Sequence, residues 1–101
     1  MKPRLVQQRD AITDVKSRLS MMGYMQIEKE IGGTTYWSRR RFFHKKIRVS
    51  THQWSKGGRR EDVVASIEIT GPTIVEDITY QVRAADKAFL RECHARRVAL
   101  G

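Results

Sequence analysis

Apolar positions at the start of the chain recur with a helical period. Leu5, Ile12 and Leu19 repeat at seven, and Val15 and Met22 fill the offset positions. One apolar stripe therefore runs through Pro3–Met22 and predicts an amphipathic helix packed on a sheet. Pro3 suits a first turn and Gly23 a C-terminal stop. The period then changes to two. In Tyr24–Ile31, Met25, Ile27 and Ile31 point one way and Gln26, Glu28 and Glu30 the other, the pattern of a strand. Val63, Ala65, Ile67 and Ile69 alternate in the same manner before Gly71-Pro72 breaks the run. Thr73–Tyr80 fits either a short strand or the lead-in to a helix. Arg83–Leu100 returns to helical spacing, with Ala85, Ala88, Phe89, Cys93 and Leu100 on one side. Arg83, Lys87, Arg91 and His94 form a basic stripe beside it, at spacings of three and four.

The segment between these elements organises the rest. Thr34–Trp54 is rich in β-branched and aromatic residues, which favours strands. A Gly32-Gly33 hairpin turn places Ile31 opposite Thr34 and pairs Tyr24–Ile31 with Thr34–Phe43. A second turn near His44-Lys45 places Phe43 opposite Lys46 and Arg41 opposite Arg48. In that register Met25, Ile27, Ile31, Tyr36, Phe42, Ile47 and Val49 share a core face. The other face collects Trp37, Arg39, Arg41, Lys46, Arg48, Ser50 and His52. A three-residue loop at the second turn would exchange the faces of the third strand, and a four-residue loop would preserve them. The fold class expected is α+β: an N-terminal helix, an antiparallel sheet of three to five strands, and a C-terminal helix packed on one sheet face. Residues 1–101 are expected to form a single domain.

Charge sharpens this picture. Between Ile31 and Arg60 there is no acidic side chain, while nine of the twenty Lys and Arg fall there. From Glu61 to Val82 the balance reverses, with five acids and no Lys or Arg. That acidic block either pairs with the hairpin's cations or keeps a separate face acidic. A formal net charge of +9 points to nucleic acid, an anionic membrane surface or an acidic protein as partner. No apolar run approaches the ~20 residues of a membrane span, and MKPRLVQQRD lacks the apolar core of a secretory signal. The lone Cys93 excludes an internal disulfide, and the chain reads as cytoplasmic.

Signature motifs for nucleotides, dinucleotides and zinc are absent, so no cofactor or metal is expected. His52, placed beside Arg41 and Arg48, suits either a general base held neutral by its neighbours or a plain phosphate-binding surface. Cys93 reads as a small core residue more than a nucleophile. Trp37 and Trp54 suit base stacking and core packing equally. The Ser55–Arg60 stretch reads either as a loop following a phosphate backbone or as a solvated linker.

An opening helix closed by Gly23-Tyr24, a Gly32-Gly33 turn before an aromatic strand, and the strand Ile47-Arg48-Val49-Ser50-Thr51-His52 together resemble the double-stranded-RNA-binding fold. A version of that fold is used by the HicA-type toxins of bacterial toxin–antitoxin pairs, which cleave mRNA. Where those toxins carry a catalytic histidine after Gly-Ser, this chain has Gly33-Thr34-Thr35. Arg48-Val49-Ser50-Thr51-His52 also resembles the R-[I/V]-S-x-H strand of short phage and mobile-element proteins. The function expected is non-enzymatic nucleic-acid binding, RNA or DNA, through Trp37, Arg39, Arg41, Lys46, Arg48 and His52, with Lys56, Arg59 and Arg60 assisting. The alternatives are an anti-CRISPR-like accessory protein that binds a host complex, and a HicA-like ribonuclease.

Overall fold

The computed structural model describes residues 4–51 and 62–100, with side chains up to Ala95. Strand β1 (Leu5–Val6) leads into helix α1 (Gln8–Met21). Strands β2 (Met25–Gln26), β3 (Thr34–Ser38), β4 (Lys46–Ser50) and β5 (Val63–Glu68) follow. Strand β6 (Thr73–Ile74) then runs directly into helix α2 (Val75–Leu100). Four strands form one mixed sheet in the order β2-β3-β4-β5, and β1 pairs with β6 in a small second sheet. The α+β class and the two packed helices are as expected. The sheet is not wholly antiparallel, because β5 runs parallel to β4.

Helix α1 buries Ala11, Val15 and Leu19. It starts after the expected point, because Leu5 and Val6 are drawn into pairing with Ile74 and Thr73. It ends as its glycine requires. Gly23 takes φ 95°, the Gly23 amide donates to Ser20 O, and the Tyr24 amide donates to Leu19 O, a Schellman closure. Helix α2 starts at Val75, well before the expected Arg83. Glu76 and Asp77 in its first turn complement the helix dipole. Ile78 and Val82 extend the buried stripe of Ala85, Phe89 and Cys93. Thr73–Tyr80, open between strand and helix, is therefore both in succession.

The Gly32-Gly33 turn forms as expected, with both glycines at positive φ and Ile31 opposite Thr34. The second turn does not. Residues 39–45 make two successive turns, the Phe42 amide donating to Arg39 O and the Lys45 amide to Phe42 O. Arg48 then lies opposite Tyr36, not Arg41. A shift of odd length exchanges faces. Trp37, expected among the cations, sits opposite Ile47 in the core with Tyr24, Val49, Ile67 and both helices. Tyr36, expected in the core, shares the other face with Lys46, Arg48 and Ser50. Met25 and Ile31, expected inward, are exposed. Met25 lies in the short edge strand β2, where Gln26 is the residue sharing a face with Trp37.

The face turned away from the helices is polar yet buried, with Thr34, Tyr36, Ser38, Arg48 and Ser50 all largely withdrawn from solvent. Two cations of β4 make three ion pairs there. Lys46 Nζ lies 2.6 Å from Glu28 Oε1 and 2.8 Å from Asp62 Oδ2. Arg48 Nη1 lies 3.1 Å from Glu68 Oε1. Asp62 and Glu68 of the acidic block thus pair with the hairpin's cations, as the first of its two readings has it, while Glu76 and Asp77 sit in the first turn of α2.

Hydrogen bonds to Asp62 and then Glu28 raise the Lys46 pKa above the ordinary 10.5, against the opposing effect of burial. The stabilisation is therefore fully present below about pH 10.5 and is lost as pH rises through the raised value. Lys46→Met leaves two carboxylates facing each other without their cation, and should cost about 2 kcal/mol in urea unfolding at pH 7. The variant should also lose less stability than the parent as pH rises above about 10.5. Equal stability of the two proteins at pH 7 would show that the clamp contributes nothing.

Candidate nucleic-acid interface

The residues expected to form one basic face are not brought together as an open surface. Trp37 is buried, its Nε1 donating to Thr35 Oγ1 at 3.0 Å. Lys46 and Arg48 are closed by the carboxylates just described. Arg39 leaves the strand, and its Nη2 meets Asp86 Oδ1 at 3.1 Å while its guanidinium lies 4.6 Å from the centre of the Tyr24 ring. The same Asp86 oxygen accepts from Tyr24 Oη at 2.5 Å. Burial first, then the hydrogen bond and charge of Asp86, push the Tyr24 phenol above its ordinary range, with Arg39 acting in the opposite direction. Lys45 meets Glu92 at 3.1 Å. Of the expected set, Arg41 remains exposed. His52, Lys56, Arg59 and Arg60, like Trp54, lie outside the described residues.

A different surface carries unpaired charge. The buried stripe of α2 turns its opposite side to solvent, and Tyr80, Arg83, Lys87, Arg91 and His94 are all exposed there. Arg83, Lys87 and Arg91 recur every fourth residue and make no ion pair among the described residues. Glu76 and Asp86 line the same groove as Arg83 and Lys87 but form no ion pair with them. Asp86 and Glu92 project from the flanks of α2 to Arg39 and Lys45, while Glu76 and Asp77 stay in the first turn. A shallow groove of about 610 Å³ runs along α2, with Tyr80, Arg83, Lys87 and Leu90 among its lining residues.

The β3–β4 turn packs beside the later half of the same helix. Phe42 meets Phe89 edge-on at 6.3 Å, and a cleft of about 250 Å³ separates Arg39 and Phe42 from Leu90 and His94. Cys93 is buried in this region and belongs to the core, as expected. Arg40 and Arg41 stand exposed on the turn, without an ion pair among the described residues. Arg41 takes φ 79°, at the third position of a turn closed by the hydrogen bond from the Phe42 amide to Arg39 O. That is the conformation for which turns ask for glycine.

The basic stripe of α2 was legible from its spacing. Tyr80 was missed, because the β-branched residues 73–79 blurred the start of the helix. Its signal is the interval of three and seven to Arg83 and Lys87. Among the described residues, no three His, Cys, Asp or Glu side chains gather as metal ligands, and no helix is long and apolar enough to cross a membrane. Compared with known proteins, the chain matches no family model, no curated protein and no solved structure.

Arg41→Gly relieves a left-handed backbone that a side chain adopts at a cost of about 1 kcal/mol. Urea unfolding should show the variant more stable than the parent by about that amount. Unchanged or lower stability would mean that the turn carries no strain at this position.

Proposed function

We propose that the protein binds nucleic acid without acting on it chemically, holding the phosphate backbone on the outward face of α2. Arg83, Lys87 and Arg91 are the principal contacts. Arg40 and Arg41 on the β3–β4 turn and the Lys56–Arg60 stretch assist. The observation that carries this reading is the contrast between two sets of cations. Arg39, Lys45, Lys46 and Arg48 each have a carboxylate of the chain itself within an ion pair. Arg83, Lys87 and Arg91 have none among the described residues, and Asp86, which shares their groove, is taken by Arg39. Charge left uncompensated at regular intervals on a rigid element suits a polyanion, whose bound counterions are released as the cations replace them.

Filter binding of a labelled oligonucleotide between ~50 and ~200 mM salt should show affinity falling roughly ten-fold or more. Replacing Arg83, Lys87 and Arg91 together with serine should flatten the log–log salt dependence by about 2. Affinity independent of salt would remove phosphate binding from consideration.

A second reading, a protein contact of the anti-CRISPR-like kind, is favoured by one feature. Met25 of the short edge strand β2 and Phe43 are exposed and line a groove of about 450 Å³ with Ile27 and Lys46. For this reading, capture of one host protein should survive nuclease treatment of the lysate and be lost in Met25→Ser/Phe43→Ser. Capture that nuclease abolishes would return the partner to nucleic acid.

A further inference from the structure

The same helix face carries apolar surface that phosphate binding alone does not use. Tyr80 is 73% exposed and Leu90 47% exposed, and both line the groove along α2 with Arg83 and Lys87. An exposed tyrosine ring is a large apolar area left in water. Here it stands one helical turn before Arg83 and two before Lys87. At 1.5 Å per residue, Arg83, Lys87 and Arg91 follow one another at about 6 Å along the axis. That interval is of the order of the distance between adjacent phosphates on an extended strand. A row of this kind tracks one backbone, with a ring at its end that meets a flat apolar partner.

Duplex and single strand differ in what they offer such a ring. In a duplex the base faces are stacked inside, and the outside shows phosphate, sugar and base edges. In a single strand the base faces are open, and aromatic side chains among cations are the usual means of holding them. Building on the phosphate-binding reading above, we infer that the nucleic acid taken by this protein is single-stranded, with a base stacked on Tyr80 and the following phosphates on Arg83 and Lys87. Leu90 extends the apolar floor of the groove beyond Lys87.

The test uses the full chain with three labelled probes, a 20-nucleotide dT strand, a 20-nucleotide U strand and a 20-base-pair DNA duplex, at one low salt concentration. The parent should bind at least one of the single strands more tightly than the duplex, and the two strands distinguish DNA from RNA. Tyr80→Leu keeps apolar bulk but removes the ring. It should weaken single-strand binding roughly ten-fold, leave duplex affinity unchanged and preserve the salt dependence. Tyr80→Phe should retain the parental affinity. At such an exposed position neither change disturbs the core, and circular dichroism checks that both variants are folded. Duplex bound as tightly as single strand, or single-strand affinity unmoved by Tyr80→Leu, would overturn the inference while leaving phosphate binding standing. Absence of binding to all three probes would overturn both.

Discussion

Strand β4 carries two cations on the face turned away from the helices, and the chain closes both with its own carboxylates. Lys46 bridges Glu28, just beyond β2, and Asp62, just before β5. Arg48 holds Glu68 at the far end of β5. Parallel strands have evenly spaced but slanted hydrogen bonds and need a long connection to return the chain. An ion pair at each end of β5 therefore fixes its register on β4, where the backbone ladder shifts between Lys46 and Ile47. The cost of withdrawing these charges from water is offset only while every partner is present. The polar face is specific for that reason, and no phosphate can take these cations without breaking the sheet's own fastening.

This constraint decides where charge is left over. Asp14, Glu28, Glu30, Asp62, Glu68, Asp86 and Glu92 are all committed to ion pairs. The surplus of cations is displaced outward, to the β3–β4 turn and the free side of α2. Asp86 shows the economy of the arrangement. One oxygen receives both the Tyr24 hydroxyl and the Arg39 guanidinium, so the acid most central to α2 is turned toward the sheet. Arg83, Lys87 and Arg91 beside it make no ion pair among the described residues.

Periodicity was sufficient for the elements and insufficient for the register. Val15 and Leu19 on α1, and Ile67 and Ile69 after the acidic switch at Glu61, all lie on apolar patterns readable from spacing alone. Gly32-Gly33 identified its turn because few other residues accept positive φ twice in succession. The β3–β4 connection offered no such mark. Arg40, Arg41, His44 and Lys45 are not turn formers, and a left-handed arginine is not something a propensity anticipates. A misplaced turn by an odd number of residues then carried Trp37 to the wrong face and with it the expected basic surface. The ion pairs were beyond reach for another reason. Whether Glu68 meets Arg48 depends on β5 lying parallel to β4, which the alternation of Val63–Ile69 does not specify.

Two local preferences are broken among the described residues, and both involve exposed cations. Like charges four apart on a helix repel by about 0.2–0.5 kcal/mol a pair, and α2 has two such pairs in succession, Arg83 with Lys87 and Lys87 with Arg91. Arg41 occupies a backbone conformation suited to glycine. Neither feature contributes to the core, since all four side chains are exposed. Alternating charge along α2 and a glycine in the turn would give a more stable protein with the same fold. Departures from local preference that bring no packing gain are where function is expected to reside. On the function proposed above, a polyanion laid on α2 would turn the repulsion within the stripe into attraction, and Arg41 on the turn would add a further exposed cation.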